Sequence, residues 1–256
     1  MIVHFTIEFV ASESIYFGMY SGAYVRAFLY WVLRKINRIL AEELHQSKGL
    51  APFATSPVYK DDNYWLDKVE KDEKYKFNIS VFVEDIGEAL KDFLMKIDRI
   101  HFLGRLNRLE YVEVKYVDNF DDKITRKFKI EFLTPCYFRI PNYCRFVPLP
   151  LPQLLFRSLA RLYEAYIGEL PREYRDWLDK WGIALSGCKI ETKKVSLKRG
   201  LWSVGFVGEA TFSIPDNLFN EDFARITSKL LSFGEYSNVG GGRTSGLGKI
   251  RVIKSL

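Results

Sequence analysis

Ile2-Val-His-Phe-Thr-Ile-Glu-Phe-Val10 sets Val3, Phe5, Ile7 and Phe9 in alternation with His4, Thr6 and Glu8, the period of a half-buried strand. A long helical stretch follows from about Ser21 to His45. Its apolar positions Tyr24, Phe28, Trp31, Val32, Ile36, Ile39 and Leu40 recur at three- and four-residue steps, until Gly49 and Pro52 close it. Short strands are expected around Phe53–Tyr59 and Tyr75–Val83, a second helix over Asp85–Asp98 and a strand over Tyr111–Val117. Lys60–Lys74 holds six acids and four bases around Trp65 and reads as a solvated turn or hairpin tip.

The same order then begins again. Lys127-Phe-Lys-Ile-Glu-Phe-Leu133 reads as a strand, and Pro152–Tyr166 as a helix with Leu154, Leu155, Leu159 and Leu162 on one face. Pro171–Trp181 suggests an extra short helix, Cys188–Leu197 and Leu201–Ile214 two strands, Asn220–Phe233 a helix and Lys249–Ile253 a last strand. No sequence repeat is visible; what repeats is the order β-α-β-β-α-β, that of the ferredoxin-like unit. The expected class is therefore α+β, with two tandem ferredoxin-like (RRM-like) domains at residues 1–121 and 122–256, divided near the polar run Asn119–Lys123. This topology leaves one sheet face uncovered by helices, and RNA-binding domains of the same topology use that face.

Composition narrows the function classes. With 256 residues, 48% hydrophobic and 27% charged, the chain has material for a real core. Cys136, Cys144 and Cys188 cannot all pair with one another, and with only three histidines they lack the spacing of a structural zinc site. Reduced cysteines fit a cytoplasmic setting. His4 and Glu8 break any signal-peptide pattern, and the longest apolar stretch, near Ala23, is interrupted by Arg26, so no membrane partner is expected. A net charge of +6 favours a polyanion. Scarce glutamine and only three methionines hint at a thermophilic source.

The most unusual segment is Gly234-Glu-Tyr-Ser-Asn-Val-Gly240-Gly-Gly-Arg-Thr-Ser-Gly246-Leu-Gly-Lys249, with six glycines in sixteen residues. It fits neither the Walker pattern nor G-x-G-x-x-G, and it joins a helix to a strand rather than a strand to a helix. What remains is a run of bare backbone amides beside Arg243 and Lys249, suited to an extended phosphate chain. From the residues alone, phosphate binding by Gly240, Gly241, Gly242, Arg243, Thr244, Ser245, Gly246, Gly248 and Lys249 and a plain glycine turn are both open. The hairpin around Lys189–Arg199 carries Lys189, Lys193, Lys194, Lys198 and Arg199 against only Glu191. It is either a solvated face or a phosphate track. Arg139 and Arg145 flank Thr134-Pro135 and are candidates for the same task, and Arg157 and Arg161 lie one helical turn apart. Trp202 reads as hairpin packing before base stacking, His4 as an exposed residue, and His101 as surface or packing.

The glycine-rich C-terminal loop resembles the signature of the RAMP superfamily of CRISPR-associated proteins. Three further segments resemble its repeat-RNA endonuclease. They are Phe132-Leu-Thr-Pro-Cys-Tyr-Phe-Arg139 followed by Val147-Pro-Leu-Pro-Leu-Pro-Gln-Leu-Leu-Phe-Arg-Ser-Leu159; Val204-Gly-Phe-Val-Gly-Glu-Ala-Thr-Phe212; and Leu44-His-Gln-Ser-Lys-Gly-Leu-Ala-Pro-Phe-Ala-Thr-Ser-Pro-Val58. The resemblance spans both halves of the chain in order.

The resemblance implies a metal-independent endoribonuclease, needing no cofactor, that cuts CRISPR precursor transcripts once per repeat. The ribose 2′-hydroxyl attacks the neighbouring phosphate and leaves a 2′,3′-cyclic phosphate and a 5′-hydroxyl. Such chemistry needs proton carriers and a cation for the phosphorane charge, and histidine suits the proton roles. His45 matches the family position; its other reading is a histidine that merely meets free carbonyls at a helix end. Tyr30 resembles the tyrosine of some members, although one unbroken helix would hold it about 22 Å from His45. Lys48 is the candidate cation, standing a few positions before the family lysine, where this chain has Ala51. The implied partners are CRISPR repeat RNA, an effector complex that receives the crRNA, and a second copy of the chain as a homodimer. The alternative is a non-catalytic RAMP paralogue that binds repeat RNA or serves as an effector-complex subunit.

Overall fold

A computed structural model describes residues 1–47, 49–140, 146–198 and 200–254. Lys48, Arg145 and Arg199, three of the sequence candidates, lie outside the described residues. The chain divides into two compact units. The first comprises Met1–Asp118 with Ser196–Trp202 and Thr244–Gly246; the second comprises Asn119–Val195, Ser203–Arg243 and Leu247–Leu256.

The first unit runs β1 (Ile2–Val10), β2 (Ile15–Tyr16), α1 (Gly22–Ile36), α2 (Arg38–Gln46), β3 (Phe53–Thr55), β4 (Lys68–Val69), β5 (Lys74–Val81), α3 (Glu84–Leu94), β6 (Arg99–Phe102) and β7 (Arg105–Val117). Its main sheet is ordered β3-β5-β1-β7-β6. β1 pairs antiparallel with β5 on one side and β7 on the other. That is the ferredoxin-like arrangement with one added strand, β6, hairpinned onto β7. The alternation read in β1 sets the faces: Val3, Phe5, Ile7 and Phe9 are fully buried and pack with Val25, Phe28, Leu29, Val32 and Leu33 of α1 in one core. The Lys60–Lys74 segment holds β4, which pairs with β2.

The opposite face of this sheet is not an open platform, and His4 is half-buried rather than exposed. Its Nδ1 bonds to Ser80 Oγ at 2.8 Å, while Asn78 Nδ2 donates to Thr6 Oγ1 at 3.0 Å and lies 3.3 Å from His4 Nε2. Asn78 and Ser80 are buried, and the Asn78 amide donates to Ser56 Oγ. Tyr59, bridged to Lys76 across the same strand, has its phenol pushed up to about 12 by burial. Buried polar groups survive only when paired, and these side chains are used on one another.

The second unit runs β8 (Lys127–Cys136), β9 (Phe138–Arg139), β10 (Phe146–Val147), α4 (Pro152–Tyr166), α5 (Arg172–Asp179), β11 (Ala184–Lys198), β12 (Leu201–Ser213), α6 (Glu221–Ser237) and β13 (Ile250–Lys254). Its sheet is ordered β11-β12-β8-β13, again the ferredoxin-like order. Phe128, Ile130 and Phe132 of β8 are buried, as are Leu155, Leu159 and Leu162 of α4 and Leu230, Leu231 and Phe233 of α6. α4 begins with proline in its first turn, where the missing N–H has no helical partner to lose. Among the described residues, no helix is long and apolar enough to cross a membrane.

Candidate functional site

The unbroken helix expected over Ser21–His45 is two helices. Asn37 stands between them in an extended conformation, φ −151° and ψ 105°. Its backbone N–H donates to Leu33 O at 2.7 Å and so closes α1. Its Oδ1 accepts from Leu40 N at 3.1 Å and so caps α2. Asparagine is among the best N-caps because its side chain satisfies an amide that has no helical acceptor. No glycine or proline is needed for the break, and a capping asparagine three residues before Leu40 was the sequence signal for it.

The break overturns the expected separation of about 22 Å for a straight helix. Tyr30 and His45 meet edge to face, with ring centroids 5.2 Å apart and planes at 88°. The Tyr30 hydroxyl donates to Leu44 O at 3.3 Å, and its ring also packs on Phe53. Tyr30 is buried at 8% exposure, whereas His45, in the last turn of α2, is exposed. The phenol is thus spent on holding the α2 end, and the imidazole is the group presented to solvent. Tyr30 positions His45; it does not reach outward itself. Arg26, one turn earlier on α1, places its guanidinium 5.6 Å from the Tyr30 ring centroid. Sequence reading treated Arg26 only as an interruption of an apolar run. Its i, i+4 relation to Tyr30 was the available signal.

Asn37→Ala is expected to cost about 1 kcal/mol of stability, because α2 loses its N-cap. A thermal melt of the variant against the parent chain checks this.

The glycine segment is not a run of bare amides. Gly240 N donates to Ser158 Oγ at 3.0 Å, Gly241 N to Tyr137 O at 2.9 Å, Leu247 N to Gly242 O at 3.3 Å, Gly248 N to Pro135 O at 2.9 Å and Lys249 N to Thr134 Oγ1 at 2.8 Å. A Cβ on Gly248 would stand 1.8 Å from Val239 O, and one on Gly240 would stand 2.3 Å from Tyr137 O. These glycines let the backbone pack tightly on β8 and the residues after it. Thr244–Gly246 groups with the first unit, where Thr244 O accepts from Thr55 Oγ1 at 3.1 Å. Ser245 and Gly246 are buried.

Arg243 is 9% exposed, so it is not a surface cation. Its Nη1 donates to Ser237 O at 3.4 Å, and no carboxylate lies within salt-bridge distance among the described residues. Its pKa is lowered to about 10, mainly by desolvation, with Tyr166 opposing and the Arg161 charge adding to the fall. Lys249 Nζ reaches back to Glu235 O at 3.3 Å.

The exposed cations lie elsewhere. Lys194 and Lys198 are exposed on β11, and Lys193 pairs with Glu191 at 2.9 Å. Trp202, expected to pack within its hairpin, is 57% exposed. Arg139 is exposed, with its guanidinium 5.4 Å from the Phe146 ring centroid. Arg157 pairs with Asp179, while Arg161 is exposed. His101 is exposed with its ring against Trp31, a packing position away from His45.

The family model for the CRISPR-associated endoribonuclease Cas6 matches residues 130–250. A CRISPR-associated endoribonuclease Cas6 of Mycobacterium tuberculosis is 36% identical over 135 residues, which are 50% of this chain and 39% of that protein. The matching stretch therefore spans well under half of the curated relative. Two solved Cas6 product complexes share the fold. One has a TM-score of 0.76 at 22% identity and the other 0.78 at 20%, each over 99% of this chain and 100% of theirs. These matches bear out the family resemblance read from the motifs: the chain is similar in sequence to the Cas6 endoribonucleases over residues 130–250 and shares the fold of solved Cas6 structures along nearly its whole length.

Proposed function

We propose that the chain is a metal-independent endoribonuclease that acts in the cytoplasm and cuts CRISPR precursor transcripts within the repeat. The observation that carries this reading is the exposed His45 imidazole, held edge-on by buried Tyr30 at the end of α2. The 2′-hydroxyl oxygen attacks the adjacent phosphorus, the bond to the 5′-oxygen breaks, and the products are a 2′,3′-cyclic phosphate and a 5′-hydroxyl. His45 carries a proton, either from the 2′-hydroxyl or to the leaving oxygen. Arg26 supplies positive charge for the phosphorane oxygens, and Lys48 stays a candidate for the same role on sequence grounds.

RNA phosphates are held by Lys193, Lys194, Lys198 and Arg199 of the long hairpin and by Arg139 and Arg145, with Trp202 offered to a base. In the glycine segment, Gly240, Gly241, Gly242, Gly246 and Gly248 set the backbone path, and Arg243 with Lys249 lends positive potential beneath the surface. The half-buried hydroxyl of Thr244 completes the RNA-facing set, and buried Ser245 helps to fix the loop beneath it. The cut crRNA then passes to an effector complex.

The test is cleavage of a 5′-labelled repeat RNA in EDTA, with a 2′-deoxy sugar at the cut site as control. A single cut that the deoxy sugar blocks is expected. Tight binding without a cut would leave a non-catalytic RAMP paralogue, and absence of binding would overturn the substrate.

The role of Tyr30 has its own signature. Tyr30→Phe keeps the ring against His45 and is expected to slow cleavage less than tenfold, losing one neutral hydrogen bond of about 1 kcal/mol. Tyr30→Ala removes the ring and is expected to slow it far more. Equal losses in the two variants would make the hydroxyl itself catalytic.

A further inference from the structure

Tyr24, Phe28 and Trp31 follow one another at four- and three-residue steps along α1 and so share one face of it. That face meets the β6–β7 hairpin across a cleft of about 150 Å3, whose other wall holds His101, Leu103 and Gly104. Three rings line it in steps. Phe28 and Trp31 have centroids 6.2 Å apart with planes at 25°, and Trp31 and His101 have centroids 6.0 Å apart with planes at 32°. Phe28 is buried, Trp31 half-buried and His101 exposed, so the series runs from the core out to solvent. Adjacent helix residues point about 100° apart, which turns Trp31 to this cleft while Tyr30 faces His45.

The hairpin that walls the cleft is tight. Phe102 pairs with Arg105, leaving Leu103 and Gly104 as the turn at φ 58° and 73°. Two-residue turns of this kind favour asparagine and glycine, and a leucine is strained there. Leu103 is half-buried and packs on the core, so its side chain serves the wall of the cleft rather than the turn. The Trp31 indole N–H and the His101 imidazole make no hydrogen bond among the described residues, and no carboxylate lines the cleft. At its rim, Lys35 Nζ lies 6.0 Å from the Trp31 ring centroid and makes no ion pair among the described residues.

We propose that this cleft holds one unpaired nucleobase of the bound RNA, stacked on the Trp31 and His101 rings, with Lys35 against the phosphate beside it. A nucleotide is the occupant because it is both flat and anionic: a stepped aromatic wall suits a planar ring, and the rim offers a cation. An apolar side chain of a protein partner would use neither the indole N–H, nor the imidazole, nor Lys35. Size limits the cleft to one base, since an apolar cavity of about 150 Å3 takes a molecule as large as benzene.

This proposal rests on the RNA-binding reading above, and its test separates the two. The probe is repeat RNA with the 2′-deoxy sugar at the cut site, so that affinity is read without cleavage. A set of such RNAs, each lacking one base of an unpaired stretch, is expected to include one whose affinity for the parent chain falls about tenfold, the loss of a single base stack. His101→Ala and Trp31→Leu are expected to lose as much on the intact RNA. Neither variant is expected to respond further to the missing base, since both changes remove one contact. Lys35→Ala is expected to reduce the salt dependence of binding by about one phosphate contact. Thermal melts establish which variants are folded, and exposed His101 is replaced without disturbing the core even where Trp31 is not. If the parent chain binds RNA and neither a missing base nor His101→Ala changes the affinity, the cleft is overturned and the RNA reading stands. Fully additive losses would also overturn it, because the base would then lie elsewhere. A parent chain that binds no RNA would overturn the RNA reading and the cleft with it.

Discussion

His45→Ala is expected to slow single-turnover cleavage of repeat RNA about 10²–10⁴-fold, the range for removing a positioned general acid or base, with RNA affinity nearly unchanged. That range corresponds to about 3–5.5 kcal/mol of barrier. A structural role could not produce it. His45 is exposed at the end of α2, and losing a histidine at a helix C-terminus costs at most about 0.3–1 kcal/mol of stability in an exposed setting. The chain keeps its fold with that loss, so a large fall in rate reports chemistry. Two readouts separate the cases: a thermal melt for the fold, and cleavage rate against binding for the site. A rate within tenfold of the parent would place the proton transfers elsewhere.

The largest expected stability effect comes from Gly248→Ala. Gly248 has φ +70° and its new Cβ would lie 1.8 Å from Val239 O, a backbone atom that cannot rotate away. The same stretch is tied by Gly248 N to Pro135 O at 2.9 Å and by Val239 N to Gly248 O at 2.8 Å. Left-handed backbone costs a non-glycine residue about 1–2 kcal/mol, and overpacking adds about 1–3. The sum is roughly 3 kcal/mol, a large share of a domain stability of about 5–15 kcal/mol. At about 2–4 °C per kcal/mol for a chain of this size, the melting temperature should fall by about 6–12 °C. Gly104→Ala is the control. Its φ of +73° carries the same backbone strain, but nothing lies within 4 Å of its Cβ, so only the strain part of the loss is expected. Equal shifts in the two variants would mean that the Gly248 contact contributes nothing.

Sequence and structure agree where signals are local and diverge where they are not. The alternation of Val3, Phe5, Ile7 and Phe9 and the leucine face of Pro152–Tyr166 translated directly into β1 and α4, since burial of one face follows from spacing along the chain. The ferredoxin-like order was legible for the same reason. Short strands such as β2, β4 and β6 were not, because two to four residues carry too little period to stand out. Asn37 was missed because apolar positions continue at helical spacing on both sides of it. A cap acts through one hydrogen bond, here from Leu40 N, which leaves no mark on hydrophobic period. The glycine segment misled in the opposite sense: six glycines in sixteen residues look like open amides, and only the folded chain supplies the carbonyls and hydroxyls that occupy them.

Residue order alone was enough for the fold class and the repeated unit, and a short family motif singled out His45 as a candidate, because hydrophobic period and short motifs are properties of neighbours along the chain. That Tyr30 stands against His45, that Arg26 stands over Tyr30 and that Arg243 is buried were decided by the tertiary structure. Each depends on which groups distant in sequence meet after the chain turns, and a single capped break at Asn37 is enough to change a separation of about 22 Å into a ring contact.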